Sequence, residues 1–167
     1  MREHKYISTN FIEKTPLKKI NGFLICPGNF IVNGAKALPY GVNFTIKSHH
    51  ATHCELLLFH KGQEEPYAVL PFPEECKIGD VFSMLVFGLN IEEFEYAYRV
   101  DGPYNKKKGL LFDKHNILLD PYAKAVTRQS VWGQEKKGAY HARVVRDYFD
   151  WGTLPQSKKS LSDLIIY

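Results

Sequence analysis

Phe94, Tyr96, Tyr98 and Val100 alternate with Glu95, Ala97, Arg99 and Asp101, the cleanest two-residue period in the chain. Alternation of this kind predicts a β-strand with one side turned to a core. Val42, Phe44 and Ile46 alternate in the same way with Asn43, Thr45 and Lys47, which predicts a second strand with its polar side in water. Residues 54–59, apolar apart from Glu55, predict a strand buried on both faces. Residues 21–27 (NGFLICP), 67–72 and 81–87 add further strands, and Pro66, Pro71 and Pro73 put the second of these near a sheet edge, because proline cannot donate to a ladder. Asn33-Gly34 and Pro39-Tyr40-Gly41 are turn signals that bracket a short irregular connection. Lys61-Gly62-Gln63 reads as a loop tip and residues 74–80 as a polar loop. No stretch carries a convincing helical period. Short strands at regular spacing with turn residues between them predict an all-β fold, an immunoglobulin-like antiparallel β-sandwich.

After Ala125 the pattern loosens. Residues 1–19 read as a polar amino-terminal extension, 20–125 as the sandwich, and 126–163 as a linker and excursion with one more strand at residues 142–145. Hydrophobic content of 44% with eleven Phe and ten Tyr is enough for a real core and suits sheet rather than helix.

Net charge is +4, but the positive residues are dispersed and the one run is Lys106-Lys107-Lys108. Without a stripe or a supporting motif, this argues against nucleic acid as a partner. The chain has no apolar run after its amino-terminal charges and none of the length a membrane helix needs, so neither a signal peptide nor a membrane span is expected. Three cysteines, Cys26, Cys54 and Cys76, are an odd number without paired spacing, which points to free thiols in a reducing, cytoplasmic setting.

His49, His50, His53 and Cys54 crowd one segment but lack the second half of a metal site, and no metal or other cofactor is expected. There is no phosphate-binding glycine loop and no nucleophile motif, so no catalytic residue is assigned. Asp120-Pro121-Tyr122 reads as a structural corner. Tyr104 stands just past the Asp101-Gly102-Pro103 turn, where an aromatic either stacks on a ligand or caps the sheet, and Asn116, either a ligand contact or a turn residue bonding its own backbone, precedes an apolar stretch at residues 117–119 that reads as a strand.

The combination YRVDGPY, then G and F, then N, then LLDPYAK within residues 98–124 resembles the amino-terminal module of isoamylase-type glycogen debranching enzymes, a family-48 carbohydrate-binding module. YGVNFTIKSHHATHCELLLF at residues 40–59 is similar to two strands of that family in the right order, and DWG at 150–152 and DLIIY at 163–167 resemble the passage into its catalytic barrel. The resemblance implies α-glucan as ligand, with Tyr104 as the stacking platform and Asn116 as a hydrogen-bonding partner. It implies that residues 164–167 begin a barrel, a second partner of the sandwich, in a parent that cuts α-1,6 branches. Family-13 carboxylates stand on such a barrel, which needs ~250 residues, so the 167-residue chain is expected to be inactive by itself. Two features depart from the sugar-binding pattern: residues 48–53 contain no Trp, and Ala97 stands where relatives carry Lys. Weak glucan binding is therefore expected. The alternatives are a stand-alone glucan-binding module and a protein-docking sandwich, and the DWG and DLIIY elements favour the debranching parent over both.

Overall fold

A computed structural model describes residues 14–127, 133, 140–146, 152–153, 160, 162 and 165. Of the expected barrel strand at 164–167 only residue 165 is described, and most of the 126–163 linker lies outside the described residues. Two antiparallel sheets face each other. The first has the order β1 (Lys18–Ile20), β2 (Phe23–Pro27), β8 (Val81–Phe87), β4 (Gly41–Lys47), β3 (Gly34–Leu38), with β7 (Lys77–Ile78) also paired to β8. The second has the order β12 (Ala125–Thr127), β13 (His141–Arg143), β9 (Phe94–Asp101), β5 (His53–His60), β6 (Pro66–Pro71). A separate two-stranded ribbon joins β10 (Tyr104–Asn105) to β11 (Leu110–Leu111). This is an all-β, immunoglobulin-like sandwich, as the alternation predicts.

The alternating residues meet between the sheets. Phe44 of β4 sets its ring edge against Tyr96 of β9 at 5.2 Å, Tyr96 packs on Tyr98 at 5.9 Å, and Phe72 meets Phe82 at 6.0 Å. β5 is buried on both faces: Leu56 and Leu58 enter the main core, while Leu57 and Phe59 form a second cluster with Ala97. β6 is an edge strand, as its prolines require.

Four local expectations are corrected. The polar side of β4 is not in water: Asn43 and Thr45 are buried. The 28–29 segment lies over them, where Asn29 N–H donates to Asn43 Oδ1 (2.7 Å), Asn43 Nδ2 donates to Thr45 Oγ1 (2.9 Å), and the Thr45 hydroxyl bonds Asn29 O and Ser83 Oγ. Gly28 permits this approach, since a Cβ there would collide with Ser83 Oγ and Asn43 Oδ1. Residues 34–38 are not an irregular connection but β3, paired with β4 from Gly34↔Thr45 to Leu38↔Gly41 across a tight Pro39-Tyr40 turn. Its GAKAL sequence has little strand preference of its own, and pairing overrides that. The 74–80 loop contains a 3-10 turn (Glu74–Cys76) that buries Cys76, followed by β7. Residues 117–119 make one bridge, Leu118 to Tyr98, rather than a strand, because β13 takes the neighbouring position on β9 through Ala142↔Tyr96.

Side chains close both seams between the sheets. On one, a two-residue Asn21-Gly22 turn with φ of 46° and 92° joins β1 to β2, and Asn21 Nδ2 reaches across to Val69 O (2.6 Å). On the other, the Tyr96 hydroxyl donates to Asp120 Oδ2 (2.8 Å), Tyr122 N–H donates to Asp120 Oδ1 (2.8 Å), and Tyr122 lies directly over Gly34 of β3. The Asp120-Pro121-Tyr122 corner is thus structural, as expected.

Candidate functional site

β4 and β9 run toward one end of the sandwich, and β5 starts there with His53 opposite Asp101. That end gathers the 48–52 loop, the 101–103 turn, the β10–β11 ribbon and the 112–118 segment. Gly102 allows the packing at its centre: a Cβ there would sit 2.8 Å from the Phe112 ring and 3.0 Å from His50 O. Phe112 therefore anchors the ribbon from below while the ribbon projects outward.

Tyr104 opposes Leu111 across the ribbon, and both are more than 60% exposed (63% and 62%). Directly opposed residues of an antiparallel pair share a face, so the two form one apolar surface. Between them the chain turns through Lys106–Lys108, with Lys108 N–H donating to Asn105 Oδ1 (3.2 Å) and Gly109 closing the turn at φ 72°.

Beside the ribbon is a cleft of about 450 Å³ whose walls include His49, His50, Leu111, Phe112, Asn116 and Leu118. The Asn116 side chain does not bond its own turn. Asp113 does that work, accepting His115 N–H at its carboxylate (2.9 Å) and Asn116 N–H at its carbonyl (3.1 Å). The Asn116 amide stays exposed at the cleft and makes no hydrogen bond among the described residues. On the opposite wall, His49 Nδ1 lies 2.6 Å from Asp80 Oδ2, and this hydrogen bond holds the Asp80 carboxyl below the usual range. The His49 and His50 rings lie 3.8 Å apart, tilted by 50°, and His50 adopts a left-handed backbone at φ 66°. Of the residues singled out in sequence, Asn116 lines the cleft and Tyr104 stands on the ribbon whose Leu111 lines it. In sequence His49 and His50 were weighed only as metal ligands and not as a wall. Their only signal was an aromatic pair ahead of β5, and it acquires meaning only beside residues 111–118.

Ala97 is fully buried with Leu57 and Phe59, and Val69 and Ile117 pack on them. The position where sugar-binding relatives are expected to present a Lys is therefore an apolar interior. Cys54 lies inside the core, where burial pushes its thiol well up. Among the described residues no group of three His, Cys, Asp or Glu could hold a metal ion.

Residues 33–123 match the family model for carbohydrate-binding module 48, described as the isoamylase N-terminal domain. Isoamylase 3, chloroplastic, of Oryza sativa subsp. japonica is 34% identical over 160 residues, covering 83% of this chain and 20% of the relative. A glycogen debranching enzyme of Yersinia enterocolitica is 38% identical over 89 residues, 53% of this chain and 13% of the relative. Among solved structures, pullulanase from Paenibacillus barengoltzii in complex with maltohexaose and alpha-cyclodextrin aligns at a TM-score of 0.50 and 19% identity, over 71% of this chain and 15% of that one. The apo form of the same enzyme aligns at 0.51 and 20% identity, over 70% of this chain and 15% of that one. At such identity the structural likeness establishes a shared fold. The chain spans a fifth or less of the length of these proteins.

Proposed function

The chain belongs to the carbohydrate-binding module 48 family, and we propose that it is the α-glucan-binding and docking module of a glycogen or starch debranching hydrolase that cleaves α-1,6 branches. The observation that carries this reading is the family match over residues 33–123, which contains both Tyr104 and Asn116. The isoamylase and debranching-enzyme relatives support the choice of parent. Bond cleavage is assigned to the parent's catalytic barrel, and the sandwich holds the glucan beside it. Tyr104 stacks on a pyranose ring, which presents a patch of C–H groups to a flat aromatic face, and the unpaired Asn116 amide bonds a hydroxyl. Two supports common in sugar-binding relatives are missing, a Trp in the 48–53 loop and a Lys at position 97, so the affinity is weak. Its three cysteines are buried free thiols, which supports a reducing compartment, cytoplasmic in our reading.

The burial of Ala97 favours a second reading, a docking sandwich with little sugar contact. Titration with maltoheptaose separates the two. The first reading expects millimolar affinity, about −4 kcal/mol, lost in Tyr104→Ala. Affinity unchanged in that variant would remove the platform, and no binding by the wild type would leave docking alone.

A further inference from the structure

We propose that the β10–β11 ribbon prefers α-glucan that carries phosphate monoesters, with Tyr104 stacking on the sugar ring and the Lys106–Lys108 tip contacting the ester. The inference rests on the glucan reading above and adds to it the charge of the preferred substrate.

Tyr104 and the three lysines belong to one short ribbon, and all four side chains are exposed. Lys106 begins two residues beyond Tyr104, about 7 Å along a strand. The backbone of the tip is ordered by its own hydrogen bonds, Lys108 N–H to Asn105 Oδ1 and Gly109 N–H to Lys106 O (3.1 Å), so the three lysine stems start from a defined place. A 3-10 turn has three residues per turn, so the three side chains fan out around the tip and one of them serves the Tyr104 side.

None of the three ammonium groups has an ion-pair partner among the described residues. The carboxylates at this end are already engaged: Asp101 accepts Gly102 N–H (2.8 Å), Asp113 accepts His115 N–H (2.9 Å), and Asp80 holds His49. Lys114, on the segment beside the cleft, is exposed and adds a further positive charge. Asp101 and Asp113 keep their negative charge, but no carboxylate pairs with the lysine tip among the described residues, so the tip beside the platform is cationic. A neutral glucan makes no use of that charge, whereas a phosphate monoester within a lysine's reach of the stacked ring does. A nucleic acid would also meet cations and an aromatic face, but it needs a track of charge along several nucleotides, and here the charge is confined to one tip.

NMR titration of the chain tests this with maltoheptaose, the same oligosaccharide carrying one phosphate monoester, inorganic phosphate alone, and a short single-stranded oligonucleotide. The phosphorylated sugar should bind about fivefold tighter than the neutral one at low salt, the scale of an exposed charge contact. Raising the salt should shrink that advantage, since the contact is screened. The triple variant Lys106→Gln, Lys107→Gln, Lys108→Gln should abolish the advantage while binding neutral maltoheptaose as the wild type does. Equal affinity for the two sugars, or a preference that survives in the triple variant, would overturn this inference and leave the glucan reading intact. Inorganic phosphate or the oligonucleotide binding as tightly as the phosphorylated sugar would overturn it too. If neither sugar binds, the glucan reading itself fails and takes this inference with it.

Discussion

Asp120 shows how one residue can be read correctly as structural while its role stays hidden. Its sequence, Asp before Pro, announces a turn, and the turn is there. That its other carboxylate oxygen is buried against the Tyr96 hydroxyl depends on β9 passing beneath it, 24 residues earlier in the chain. Burial holds its carboxyl above the usual carboxylate range. The native state thus keeps a proton that the unfolded chain has already released. Stability from this group is fully present below the ordinary carboxylate value and is lost as pH rises through the raised native one. In Asp120→Asn nothing titrates at this position. The stability of the wild type relative to this variant should therefore fall as pH rises above the ordinary carboxylate value, read by urea denaturation at a series of pH values. A difference independent of pH would contradict the account.

At the scale of elements, β9 was legible from its two-residue period and β5 and β8 from their own apolar runs, which each buries directly. β3 was not. Its small residues carry no strong pattern, and it is a strand because β4 offers a free edge and Tyr122 pins its first residue. Gly34 tests that pinning. It sits at φ 81°, and an added Cβ would lie 2.9 Å from Tyr122 Cβ, whereas Gly62, at φ 74° in the loop tip, has open space around it. Gly62→Ala should cost about 1 kcal/mol, the backbone strain alone. Gly34→Ala adds a collision with the corner that closes the seam and should cost about 2–3 kcal/mol. Chemical denaturation of the two variants decides this, and equal losses would mean that Tyr122 yields freely.

For the whole molecule, the sandwich itself offers little to hydrolysis. Among the described residues the buried carboxylates are committed, Glu95 to His141 (3.1 Å) and Asp120 to Tyr96. The purified 167-residue chain should release no reducing ends from glycogen above a buffer control. Activity in that assay would overturn the assignment of bond cleavage to a parent's barrel. What the sequence determined alone is whatever depends on neighbours a few residues apart: the two-residue period of the strands, the Asp-Gly-Pro turn that presents Tyr104, and the motif order that marks the family. Tertiary structure decided what depends on distant segments meeting. Asn43 and Thr45 are buried because residues 28 and 29 lie over them, and Ala97 is interior because Ile117 and β5 enclose it. The cleft exists because the β5–β9 pairing brings His49 and His50 to residues 111–118, segments some 60 positions apart in the chain. Alternation can say that a residue points away from one core, but only the packed chain says whether water or another segment is waiting on the other side.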